Sequence, residues 1–162
     1  MSKEILQIEI VPKHSTPEDT ISQRMVEHCI TIAHEAHFKQ RDRDNNAVIL
    51  HPLLVGSMGK TDAEKCVGFL HDVVEDTDWT FEDLENEGLA KEIVDALRLL
   101  THEETMTYEQ YVQRIIDSGN QTAINVKYND LCHNLARGKA FGYDKLVAKH
   151  SKAMEMIKPY VK

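Results

Sequence analysis

The densest polar insertion in an otherwise apolar stretch of this chain is Leu70-His71-Asp72-Val73-Val74-Glu75-Asp76-Thr77. Neighbouring residues on a helix project about 100° apart, so His71 and Asp72 can both reach one cation near the helix rim. Glu75 follows His71 by one turn, and Asp76 follows Asp72 by one turn. The dipeptide alone carries little weight. Nine histidines among so many aspartates would give roughly two His-Asp pairs in every three chains of this length by chance. Two further segments supply context. His51-Pro52 falls at a helix start, with proline in the first turn. Lys127, Asp130 and Asn134 share one face of a helix at spacings of three and four, opposite an apolar face of Ile124, Tyr128, Leu131 and Leu135. A polar stripe centred on an aspartate and backed by a packed stripe suits a helix that lines a site.

The elements that must position these residues read as helical almost throughout. Thr16-Pro17-Glu18-Asp19 starts a helix whose apolar positions are Ile21, Met25, Cys29, Ile32 and Ala36. Thr61-Asp62-Ala63-Glu64 has the pattern of a capping box and leads into Cys66, Leu70 and Val73. Thr80-Phe81-Glu82-Asp83 begins a short helix that Gly88 is placed to end. Ile93, Ala96, Leu97 and Leu100 form the next stripe. Thr107-Tyr108-Glu109-Gln110 is a second capping box, followed by Tyr111, Val112 and Ile115. Residues 121–135 read as a helix, and Leu146, His150, Ala153, Ile157 and Tyr160 mark the last one. Only Ile8-Glu9-Ile10 and its neighbours alternate like a strand. The expectation is an all-α fold: a compact helical bundle of six to eight helices over 16–162, preceded by an N-terminal arm at 1–15.

In order, His51, His71-Asp72 and Asp130 resemble the H…HD…D pattern of the HD-domain metal-dependent phosphohydrolase superfamily. The similarity is nearest to the hydrolase domain of the RelA/SpoT alarmone enzymes and their small stand-alone relatives. It is carried by His51-Pro52-Leu53-x-Val55, by Leu70 to Thr77, and by Lys127-x-x-Asp130-Leu131-x-His133-Asn134. Thr80-Phe81-Glu82-Asp83-Leu84, Asp95-Ala96 and Leu100-Thr101 also fit. The resemblance implies one divalent ion held by His51, His71, Asp72 and Asp130. Mn²⁺ is the first choice, with Fe²⁺, Mg²⁺ or Zn²⁺ as alternatives. It implies that Glu75 and Asp76 position or deprotonate the attacking water, with a second role for them in orienting His71 as the milder reading. Lys127 would neutralise a substrate phosphate, although an intrahelical salt bridge explains it nearly as well. Asn134 would hydrogen-bond a ribose or phosphate oxygen, and Arg41 and Arg43 stand between substrate grip and ordinary surface. The implied activity is hydrolysis of a phosphorylated nucleotide, (p)ppGpp-type 3′-pyrophosphate first. Another nucleotide or phosphomonoester, or a catalytically silent nucleotide-binding module, are the alternatives. The sequence departs from the alarmone pattern before His51. His37 and Gln40 keep its register, but Asp42 stands where that family has the arginine expected to help hold guanine.

Length, charge and thiols narrow the class further. The chain has 162 residues and suits one domain. Its net charge of -8 argues against coating nucleic acid. The charge is uneven: the last 42 residues carry a local excess of positive charge, which can mark a face that receives an anion or a solvated helix face. The solvated face is the reading taken for the outlying Lys149, Lys152 and Lys158. No apolar run reaches bilayer length and no signal segment is expected. Cys29, Cys66 and Cys132 read as reduced core thiols of a cytoplasmic protein that could form oligomers. Among the other histidines, His34 and His37 could approach the site but suit packed or surface roles. His133 reads as structural support, His150 as a core-face residue, and His14, His28 and His102 as surface. Trp79 reads as a loop anchor.

Overall fold

The computed structural model describes residues 17–162. The strand expected at Ile8-Glu9-Ile10, the arm at 1–15 and the Thr16 cap lie outside the described residues. Among the described residues there are eight helices and one isolated helical turn. These are α1 (Pro17–Ala36), α2 (Leu50–Ser57), α3 (Asp62–Leu70), the turn α4 (Val73–Asp76), α5 (Phe81–Asn86), α6 (Lys91–Leu100), α7 (Tyr108–Asp117), α8 (Gln121–Phe141) and α9 (Asp144–Ile157). A 3₁₀ turn at Lys158–Tyr160 follows. The all-α expectation holds, and the apolar stripes read from spacing meet in one core. Cys29, Ile32, Val67, Leu70, Leu97, Val112, Ile115, Ile124, Leu131 and Ile157 are buried in it.

Several local details differ from the sequence reading. His71 and Asp72 do not lie within a continuous helix: α3 ends at Leu70, and the chain breaks before the single turn α4. The Thr77 hydroxyl closes that turn by donating to the Val73 carbonyl at 2.6 Å. Thr61 caps α3 by accepting from the Glu64 amide, but Glu64 does not reciprocate. Its carboxylate accepts instead from the Lys60 amide and from Asn125 Nδ2, both at 2.6 Å. Glu64 is buried, so this departure from a capping box ties α3 to α8. The boxes at Thr80 and Thr107 form fully. Helix α8 runs six residues past 135, to the left-handed Gly142 (φ 72°). Tyr128 and Leu135 are only half-buried, and the supposed polar stripe is interior too, since Lys127 and Asp130 are buried. In α9 the apolar face ends at Ile157, and Tyr160 is exposed in the 3₁₀ turn.

What brings the motifs together is the packing of α3 against α2, α1 and α8. Helices α2 and α3 meet through two glycines. A Cβ on Gly68 would stand 2.7 Å from the Gly56 Cα, and one on Gly56 would strike the Phe69 ring at 2.2 Å. Backbones this close leave no room for a side chain between them. The contact draws His51, near the start of α2, up to His71, just past the end of α3.

Candidate metal centre

His51, His71 and Asp72 each offer a donor atom, and the three atoms lie within 4.8 Å of one another. His51 Nε2 is 3.2 Å from His71 Nε2 and 3.6 Å from Asp72 Oδ2. His71 Nε2 is 3.2 Å from Asp72 Oδ2. From α8, Asp130 Oδ1 comes within 2.9 Å of His51 Nε2 and 3.4 Å of His71 Nε2. Donors at right angles around an ion with bonds of about 2.1 Å stand roughly 3.0 Å apart, and at tetrahedral angles roughly 3.4 Å. Two imidazole nitrogens and two carboxylate oxygens at these separations fit a divalent ion. Bare, they would be an unfavourable cluster of acceptors.

The surrounding hydrogen bonds prepare the donors for that task. His71 Nδ1 faces the Gly68 carbonyl at 2.7 Å, so that nitrogen carries the hydrogen and Nε2 keeps its lone pair for a cation. His51 Nδ1 is 2.6 Å from His133 Nδ1, with the rings stacked. On Asp130, Oδ1 accepts from Asn134 Nδ2 at 2.8 Å while Oδ2 accepts from Lys127 Nζ at 2.9 Å. Asn134, expected on substrate, is thus engaged with Asp130. Lys127 takes the salt-bridge alternative, and it also lines the pocket.

Electrostatically the centre attracts positive charge. Burial opposes a charged His71, yet Asp72 and Asp130 outweigh it and hold its pKa well above the ordinary value. Burial likewise opposes ionised Asp130, but Lys127 and the two histidines hold its carboxyl well below the usual range. Glu75 and Asp76 differ. Partial burial strips water from both and pushes their pKa values up, with Asp72 adding to the effect. A carboxylate raised in this way is a better proton acceptor near neutral pH. Glu75 accepts a hydrogen bond from the His102 amide, and the Asp76 carbonyl accepts from Gln40 Nε2 at 2.9 Å.

A cavity of about 220 Å³ opens beside the cluster, lined among others by Asp72, Glu75, Tyr108, Lys127, Asp130 and Lys149. Arg41 and Arg43 are not part of its wall. Arg41 donates to the Gln40 carbonyl at 3.2 Å, and Arg43 lies 4.6 Å over the Tyr143 ring. Asp42 shapes the exposed turn between them: its carboxylate accepts from the Asp44 and Asn46 amides, each at 2.9 Å, and pairs with Arg137 at 3.6 Å. Three residues taken from sequence as surface or structure belong to the site. His102 lines the cavity, Lys149 reaches it from α9, and His133 buttresses His51. His102 and Lys149 carry no spacing signal, whereas His133 stands three residues after Asp130, one helical turn away. His37 is buried, with Nδ1 2.8 Å from Gln40 Oε1.

No family model matches the chain. Over 72 residues, 42% of its length, it is 35% identical to a probable guanosine-3′,5′-bis(diphosphate) 3′-pyrophosphohydrolase of Synechocystis sp.. That match spans only 10% of the cyanobacterial protein. Among solved structures, the chain resembles a metazoan ortholog of SpoT described as hydrolysing ppGpp. The TM-score is 0.59 and the identity 21%, with 82% of this chain and 93% of the other covered. The helical fold expected from the motifs is the fold observed.

Proposed function

We propose that this chain, a relative of the RelA/SpoT-type hydrolases, is a metal-dependent phosphohydrolase of a phosphorylated nucleotide, with a (p)ppGpp-type 3′-pyrophosphate as leading substrate. The observation that carries the reading is the meeting of His51, His71, Asp72 and Asp130, from three separate parts of the chain, beside two carboxylates with raised pKa. The name of the cyanobacterial relative supports the substrate.

In this reading His51, His71, Asp72 and Asp130 hold the ion, Mn²⁺ first with Fe²⁺, Mg²⁺ or Zn²⁺ as alternatives, because two imidazoles and two carboxylates leave positions open for water in a six-coordinate shell. When bound, the ion supplies a more acidic water and draws electron density from a phosphoryl oxygen. The chain's own groups do the rest. Glu75 or Asp76 accepts the proton as the water oxygen bonds to phosphorus and the bond from phosphorus to the ribose 3′ oxygen breaks. The same carboxyl returns a proton to that departing oxygen. Lys127 and Asn134 keep Asp130 ionised and aimed at the centre. Lys127 also faces the cavity that receives the phosphoryl groups. A reducing, cytoplasmic setting accords with the free thiols Cys29, Cys66 and Cys132.

Asp42 favours a second reading in which the nucleotide is not a guanosine alarmone. Its carboxylate is engaged with the turn and Arg137, so no arginine occupies that position to hold guanine. One assay separates the possibilities. Purified protein with Mn²⁺ is offered (p)ppGpp, nucleoside mono- and triphosphates and p-nitrophenyl phosphate, beside His71→Ala and Asp72→Asn. Release of pyrophosphate from (p)ppGpp, abolished in both variants, is expected. Release from another nucleotide alone moves the substrate, and no release from any compound leaves a silent binding module.

A further inference from the structure

Between Leu50 and Gly59 the chain carries no Asp, Glu, Lys or Arg, so α2 and its C-cap present no charge on any side. A helix that is apolar all round is normally enclosed by other elements. One side of α2 meets that expectation: His51, Pro52, Val55 and Gly56 are buried. The other side does not. Leu50, Leu54 and the C-cap Met58 are 59%, 42% and 37% exposed, and a spacing of four residues sets them in one row. A single exposed apolar side chain is ordinary, but a row of three with no charge beside it on the helix marks a contact surface.

We propose that residues 5–11 of this same chain cover the row, with Leu6, Ile8 and Ile10 laid over Leu50, Leu54 and Met58 respectively. Spacing supports it. Alternate side chains of an extended segment stand about 6.8 Å apart, and residues four apart on a helix about 6 Å, so three match three. Composition supports it too. Leu6, Ile8 and Ile10 occupy alternate positions, and Glu9, the one charge between Ile5 and Val11, falls on the other side with Gln7. The path of the chain supplies the reach. Helix α1 begins at Pro17, and within two turns Gln23 Nε2 donates to Asp62 Oδ1 at 3.5 Å. Asp62 opens α3, four residues after Met58. The chain thus enters α1 at the end of the fold where the row finishes, and residues 11–16 can span about 20 Å. A second copy could bring the same row to the contact, but two chains of net charge -8 repel. The tethered segment meets the row at high effective concentration instead.

The test reads the contact from both sides in the 162-residue chain. With the photo-crosslinker p-benzoylphenylalanine in place of Ile8, irradiation should join the segment to the peptide that contains Leu54 and Met58, in a product of monomer mass. Adding Leu54→Lys should abolish that product. From the other side, Ile8→Lys should uncover Met58 and raise its rate of oxidation by hydrogen peroxide about threefold. Phe141→Lys adds the same charge at an exposed apolar residue at the end of α8 and should change neither reading. Circular dichroism checks that each variant keeps its helices, and the Ile8 variants decide alone if Leu54→Lys does not fold. A crosslink to another part of the fold, no crosslink, or unchanged Met58 oxidation in Ile8→Lys would overturn the proposal. So would an equal effect of Phe141→Lys, or a crosslinked product of dimer mass, which assigns the row to a second copy.

Discussion

His133 places its Nδ1 2.6 Å from Nδ1 of His51, with the two imidazoles stacked at 4.9 Å between centroids. One of these nitrogens donates and the other accepts. If His51 Nε2 is to offer a lone pair to an ion, its hydrogen resides on Nδ1, and His133 must accept with an unprotonated Nδ1. Burial, the neighbouring His51 and Arg137 all lower the pKa of His133, which keeps it neutral and able to accept. His133→Ala removes the acceptor while leaving every proposed ligand in place. Affinity for Mn²⁺ should fall about 10- to 100-fold, as is usual when the partner of a ligating histidine is lost. Calorimetric titration of metal into both proteins measures this, and an unchanged affinity would show that His133 does not orient His51.

The approach of α2 to α3 yields a second prediction. Gly68→Ala pushes a methyl group into the Gly56 backbone at 2.7 Å, and a backbone atom cannot rotate aside as a flexible side chain can. Overpacking of this kind costs about 1–3 kcal/mol. Because the same contact sets the 5.0 Å separation of the His51 and His71 rings, metal affinity should drop together with stability. Denaturant unfolding and metal titration on Gly68→Ala, with an exposed alanine substitution as control, check both. Lost stability with intact metal binding would separate the glycine contact from the site.

These two cases mark how far the sequence could be read. His51, His71, Asp72 and Asp130 are named together through a resemblance to a family pattern and do meet in the fold, while local helix signals placed most elements. His102 and Lys149 were not legible. Each owes its place to tertiary packing: α9 lies along α7 and α8, and the loop before α7 folds so that the His102 amide meets Glu75. A period of 3.6 residues says which side of α9 is apolar, but not that its flank meets a cavity. The break at His71-Asp72 escaped detection for a related reason. It contains no proline or glycine to announce it. Asn134 lies on the same face as Lys127 and Asp130 and donates to Asp130, a contact that spacing cannot tell from one to substrate.

The Lys127–Asp130 pair is buried on both sides, which gives a third prediction. Removing one member of a buried ion pair strands the other and costs about 3–5 kcal/mol. Lys127→Met should therefore lower stability by roughly that amount in metal-free protein. Bound Mn²⁺ would restore positive charge next to Asp130 and recover part of the loss, so the stabilisation on adding metal should be larger in the variant than in wild type. Thermal or urea unfolding with and without Mn²⁺ provides the four values needed. An equal metal effect in both proteins would mean that Asp130 does not share the ion.

His150 lies half-buried on α9 with no partner for Nδ1 and the Tyr108 ring 6.0 Å away. Burial lowers its pKa to about 4, helped by Lys149, Lys127 and Arg137 and opposed by Asp130. In the unfolded chain the imidazole titrates near its ordinary 6.5. The unfolded state therefore binds the proton first, and between about pH 6.5 and pH 4 acidification favours unfolding. Above that window the contribution is constant. Because the ring is partly exposed and solvent screens it, the effect should amount to only about 1–2 kcal/mol. His150→Gln, which does not titrate, should lose less stability than wild type between pH 7 and pH 4.5 in urea unfolding. Carboxylates that titrate in the same range affect both proteins alike, so the difference between the two slopes isolates the histidine. Parallel slopes would place the His150 pKa near its ordinary value.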